Sequence, residues 1–217
     1  MKKALIAIGI IVGTAYACQQ NKEDKVSRSE VKHFDVSKYT GNINVDGRMI
    51  VGEVSKAFEE MYTTAIEKHG TAGAVDYCAE NAFDLLDSLG HYYGVGLKRT
   101  SLRIRNPENR PDTLDLAVLN NMQNLGEEGV DLTPMSMKFS GGDGILYAPI
   151  KMQPMCLQCH GIKMRGDIKD DVWAKIRERY PEDVAYDYNT NEMRGVWGIY
   201  FPAEYWARKG RVDMPEM

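Results

Sequence analysis

Residues 156–160 read Cys156-Leu157-Gln158-Cys159-His160, two thiols separated by two residues with an imidazole directly after the second. At that spacing the two sulfurs fall about one helical turn apart and face the same side. C-x-x-C-H is the attachment pattern of haem c: each thiol adds to one vinyl group to form a thioether, and the adjacent histidine offers a neutral ring nitrogen to the iron. With four Cys and four His in 217 residues, a chance match has odds of about one in a thousand. Two other chemistries compete for the same residues. A redox C-x-x-C pair belongs to a βαβ setting of the thioredoxin kind, which the flanking sequence lacks. A Cys₃His zinc site would combine Cys156, Cys159 and His160 with Cys78, but zinc motifs usually spread their ligands along the chain. The reading is one covalent haem c, held by Cys156 and Cys159 with His160 on the iron.

Covalent haem attachment is completed outside the cytoplasm, and the other end of the sequence agrees. Lys2 and Lys3 precede an apolar run, Ala4 to Val12, and then Ala15-Tyr16-Ala17. A charged start, a short apolar middle and an A-x-A-like end describe a secretory signal over residues 1–17. The run is short for a membrane span. Cys18 follows the expected cleavage point and resembles the lipid-modified first residue of a bacterial lipoprotein, although Ala15 stands where leucine is usual. Residues 18–45 are polar and read as a flexible tether, leaving 46–217 as one haem domain. The protein is therefore expected to be exported, periplasmic or anchored in the cell envelope through a lipid on Cys18. Its net charge of −4 argues against nucleic acid as a partner, since phosphate binding calls for a basic surface.

Apolar residues at three- and four-residue steps (Ile50, Val54, Phe58, Met61, Ala65) predict a first helix ending near Gly70. Thr71 then caps a second, with Val75, Cys78, Ala82, Leu85 and Leu89 on its inward face and Gly90 at its end. Gly94 to Arg105 reads as a strand whose alternation changes phase, which implies a bulge. A helix follows over Asp112 to about Leu125. Met135–Phe139 and Ile145–Met152 are strands around a glycine-rich turn, with Pro149 at an edge or bulge. Asp167–Tyr180 is a helix and Arg194–Phe201 a last strand. The order describes one α+β domain.

An iron held by His160 needs a second axial ligand or an open face. His33, His69, His91, Cys78 and methionines 135, 137, 152, 155, 164 and 193 are the candidates. Most of the methionines are core filler, and His69 sits at a helix end. Cys78 faces inward, as does a buried free cysteine with no ligand role. Arg99, Arg103 and Arg105 share one strand parity, and Arg99 and Arg105 are candidates to pair with haem propionates as bidentate donors. An exposed basic edge explains them equally well.

Several stretches together resemble the PAS-like c-type haem domains found in single-haem bacterial cytochromes and in the sensor regions of signalling proteins. They are Asp76-Tyr77-Cys78, Arg99 to Asp112, the C-x-x-C-H at 156–160, Tyr180-Pro181-Glu182-Asp183-Val184-Ala185, and Arg194-Gly195-Val196-Trp197-Gly198. The resemblance implies a PAS-like antiparallel sheet with N-terminal helices. It also implies that Cys78 is an axial ligand opposite His160. The family usually carries a glycine-bearing turn after the Tyr-Pro stretch; here it reads Tyr186-Asp187-Tyr188-Asn189-Thr190-Asn191. A thiolate stabilises ferric iron and lowers its potential, and it can weaken, protonate or leave on reduction.

That behaviour suits a sensor of redox state or of a diatomic gas, signalling through a partner in the cell envelope. Electron transfer to an exported redox partner is the alternative. A peroxidase-type enzyme comes last, because no acid–base pairing is visible in the spacing.

Overall fold

The computed structural model describes residues 39–206. The signal segment, Cys18, most of the tether with His33, and residues 207–217 lie outside the described residues.

Helix α1 (Ile43–Tyr93) starts where Asn42 accepts the amide of Asn44. The carboxylate of Asp46, buried in the first turn, holds the amides of Thr40 and Gly41 at 2.7 and 2.9 Å. Tyr39 is buried too and donates its hydroxyl to Tyr93 O. Folded structure thus begins at least as early as Tyr39, inside the stretch read as tether, because its few non-polar and capping residues are anchored by the helix they precede.

A straight helix of this length would run about 75 Å, yet Tyr39 touches Tyr93. The reversal occurs at Gly70, whose φ of 67° and ψ of 170° interrupt the helix. Ile50, Val54 and Phe58 before the break and Leu86 and Tyr93 after it share one core cluster, so the two halves lie back to back. The expected pair of helices is present. The second ends at Gly94, in the left-handed conformation, rather than at Gly90. Gly90 is instead kept small because a Cβ there would lie 3.0 Å from Val95 O.

Strands β1 (Gly96–Thr100), β2 (Met135–Lys138), β3 (Gly144–Lys151) and β4 (Met193–Phe201) form one antiparallel sheet in the order β1-β4-β3-β2. Leu146, Ala148, Trp197, Ile199 and Phe201 face α1. Ile145, Tyr147 and Val196 face α2 (Thr113–Glu127) on the other side. Period-two alternation therefore buries both faces. Pro149 lies past the end of β2, where β3 is an edge, beside the register shift at Ile150/Lys151.

β1 stops at Thr100, short of the strand expected to reach Arg105. The Ser101 hydroxyl donates to Arg194 O at 2.6 Å and accepts the Arg103 amide at 3.1 Å, turning the chain away. The phase change in the sequence marks this strand end. α2 carries a capping box between Asp112 and Asp115. A third cluster joins Val75 of α1 to Ile168, Val172 and Ile176 around α4 (Asp170–Arg179), with Cys159 packed against it.

Candidate functional site around the C-x-x-C-H turn

Cys156 closes a 3-10 turn (Pro154–Cys156) that runs directly into α3 (Leu157–His160). The motif is thus a little over one helical turn, closed by the Gly161 amide on Leu157 O at 2.8 Å. Gly161 is required by space: a Cβ would lie 2.6 Å from both Leu157 O and Asp167 Cβ. On one side, the Thr71 hydroxyl just past the α1 break reaches Gln158 Oε1 at 3.0 Å. On the other, the amides of Asp187 and Tyr188 donate to Gly161 O and His160 O at 2.9 and 3.0 Å. Asp187 (φ 61°) and Asn191 (φ 70°) take the left-handed conformation here. Asp and Asn tolerate it better than most residues, so the loop turns without the glycine the resemblance led one to expect.

The His160 ring is fixed by a single acceptor. Its Nδ1 lies 2.5 Å from Ala185 O. A carbonyl can only accept, so Nδ1 carries the proton and Nε2 presents its lone pair. Burial, then the charges of Arg105 and Arg194, hold the imidazole well below its ordinary 6.5, so it is neutral at physiological pH. Tyr188 stands edge-on to the ring at 6.4 Å. Its own faces are occupied by the guanidiniums of Arg103 at 3.9 Å and Arg194 at 5.6 Å.

Cys78 projects from the second half of α1 and is partly accessible, as are Cys156 and Cys159; none of the three is in a disulfide. Burial pushes the Cys78 thiol up to about 11; nearby Cys159 adds to the rise and Arg99 opposes it. Arg99 also acts on His160, so one guanidinium lies within electrostatic reach of both proposed ligands. Cys159 is likewise raised by burial, with Arg105 opposing. Among the described residues no three Cys, His, Asp or Glu side chains converge as a metal-ligand group.

The arginines separate. Arg105 Nη2 donates to Cys159 O at 2.6 Å, Asp183 Oδ2 at 3.1 Å and Ala185 O at 3.3 Å, while its buried Nε has no partner. Arg99 lies against the rings of Phe58 and Trp197 at 5.0 and 5.8 Å. Among the described residues its guanidinium makes no hydrogen bond or ion pair, and burial lowers its pKa. Arg99, Arg103 and Arg105 meet around the motif because the chain bends after Thr100, rather than through strand parity.

Sequence reasoning missed Ala185, Asp183, Arg194 and Tyr188. It also missed Tyr62 and Tyr180, whose hydroxyls burial keeps protonated beside Cys78 and Arg99. The resemblance flagged Tyr180 to Ala185 and Arg194 without supplying a role. Of the other ligand candidates, His91 is 78% exposed and bonded to Asp87 O in its own helix. His69 stacks on Tyr77. Met152 is core, and Met137 and Met193 pack against the α2 cluster.

The fold and the site together define an α+β domain built around a C-x-x-C-H turn whose histidine is neutral, oriented and ringed by arginines. The model of the Tll0287-like family, described as Tll0287, matches residues 16–202, and the chain belongs to that family. Among solved structures it is similar to the crystal structure of the cyanobacterial haem-protein Tll0287. The two are 25% identical, the match covers 70% of this chain and 94% of that one, and the TM-score is 0.49. No curated protein matches the chain.

Proposed function

We propose that this chain is an exported haem c protein of the cell envelope, with a PAS-like domain that senses redox state or a diatomic gas. Cys156 and Cys159 hold one haem through thioethers, and His160 and Cys78 are its iron ligands. The observation that carries the reading is the His160–Ala185 hydrogen bond, which, among the described residues, leaves the Nε2 lone pair of a neutral imidazole unshared, beside Cys159 and about one turn from Cys156, neither of them in a disulfide. When bound, haem would supply reversible one-electron chemistry and, once Cys78 lets go, a place for a small ligand to bind.

The residues fit that group beyond the motif itself. Around it stand Arg99, Arg103, Arg105 and Arg194, with Asp183 the ion-pair partner of Arg105. Among the described residues Arg99 makes ring contacts but no hydrogen bond or ion pair, and the buried Nε of the Asp183-paired Arg105 has no partner, which suits a cofactor bearing carboxylates. Cys78, near Cys159 and Arg99, would supply a thiol ligand whose hold would weaken on reduction.

Electron transfer is the second reading. Met164, 94% exposed four residues after His160, offers an apolar contact beside the motif for a redox partner. Absorption spectra of ferric, ferrous and CO-treated protein separate the two, with Cys78→Ala alongside. The sensing reading predicts an altered ferric spectrum in the variant and CO binding to the reduced wild type. Unchanged spectra and no CO binding would reject it in favour of electron transfer.

A further inference from the structure

Behind His160 lies the Arg105–Asp183 ion pair, whose effect on the histidine goes beyond any contact of the Arg105 Nε with a carboxylate. The Asp183 carboxylate is fully buried, and Arg105 keeps only 14% of its side-chain surface. Asp183 Oδ1 accepts the Ala185 amide at 2.9 Å, fixing the residue whose carbonyl receives His160 Nδ1–H. Arg105 bridges Asp183 Oδ2 to two carbonyls, that of Cys159 inside the motif and that of Ala185. The Ala185 oxygen thus takes two donors, an imidazole and a guanidinium. Each donor reduces what the oxygen can offer the other. Three carbonyl or carboxylate acceptors around one Nη2 also tie the motif's backbone to the histidine's acceptor.

We infer that Arg105 and Asp183 are positioning residues that aim the His160 imidazole and bias the ferric–ferrous equilibrium in opposite directions. The inference rests on the haem reading. The guanidinium beside His160 disfavours the more positive, ferric state. By drawing on Ala185 O it also limits how far Nδ1–H is polarised toward imidazolate, the form that favours ferric iron. Both effects raise the potential. The Asp183 carboxylate offsets them by neutralising Arg105 and adding negative charge. Reduction here adds one electron to the iron, supplied by a mediator dye, and breaks no protein bond.

The test is the midpoint potential of the haem-loaded protein and of Asp183→Asn, Arg105→Gln, Arg105→Lys and the double variant Asp183→Asn/Arg105→Gln. Asp183→Asn should favour the ferrous form by tenfold or more, about 59 mV for one electron. Arg105→Gln should shift the equilibrium as far the other way. Arg105→Lys should stay near wild type because it keeps the charge, and the double variant should return toward wild type. Shifts in the same direction, or none, would overturn the inference, since a packing role has no reason to change sign with charge. Asp183→Asn is nearly isosteric and decides the matter alone if Arg105→Gln fails to accumulate. Failure of the underlying haem reading is seen separately, as wild-type protein with no haem that resists acid-acetone extraction.

Discussion

His160 Nδ1 sits 2.5 Å from Ala185 O, 25 positions further along the chain, with all of α4 between them. That contact ties the C-x-x-C-H turn to the loop after the helix, and the placement of Ala185 depends on Asp183, Arg105 and the passage of β4 beside Ser101.

Gly195 is the most space-limited position in this arrangement. A Cβ there would lie 2.3 Å from Thr100 O and 2.9 Å from Ser101 Cβ. The nearest atom is backbone and cannot swing aside. Gly195→Ala should therefore cost about 3 kcal/mol in urea unfolding, the upper end for overpacking. It should also disturb the neighbouring Arg194, which donates to Arg103 O at 2.9 Å. A loss below about 1 kcal/mol would mean that β1 and β4 are spaced more loosely than described.

Arg99 offers a contrast between haem-loaded and haem-free protein. Its guanidinium has ring contacts but, among the described residues, no anionic partner. A partly buried cation without a counter-charge is less favourable than a paired one. If a haem propionate pairs with it, as the proposed function holds, Arg99→Leu should lower the thermal midpoint of the haem-loaded protein and leave that of the haem-free chain unchanged or higher. Equal losses in both forms would assign Arg99 to packing alone.

The α2 start supplies a pH-dependent prediction away from the site. Asp112 accepts the Asp115 amide at 2.8 Å and the Lys98 ammonium at 2.9 Å. Its carboxyl is held below the ordinary 3.8, chiefly by the backbone bond to Asp115 and then by Lys98. Because the folded value lies below the unfolded one, the contribution is complete above pH 3.8 and is lost as pH falls through the depressed value. Asp112→Ala should cost about 1 kcal/mol at neutral pH, as for other N-caps. The gap from wild type in denaturant melts should narrow below about pH 4.

Much of this was legible because it lies in local pattern. The helix break at Gly70, the strands on either side of the Ser140–Gly144 turn and the start of α2 at Asp112 all follow from spacing, glycine and capping chemistry. The motif residues were found for the same reason. What stayed hidden depends on contacts between distant segments. Ala185 acts through its backbone carbonyl, which no side-chain pattern can announce. Arg105 was read as a propionate donor from its type and parity, yet one of its terminal nitrogens is engaged by Asp183, 78 residues away. The extent of the strand before Arg105 was overestimated because Ser101 turns the chain only when Arg194 is beside it.

The central claim is that Cys156 and Cys159 hold haem covalently. The most direct measurement is acid-acetone extraction of the protein, made in a bacterial strain that attaches haem c, followed by an absorption spectrum and haem staining on a denaturing gel. The account predicts that the Soret band and the stain remain with the polypeptide, and that Cys156→Ala/Cys159→Ala loses both. Pigment that leaves with the solvent, or a colourless wild-type protein, would contradict it.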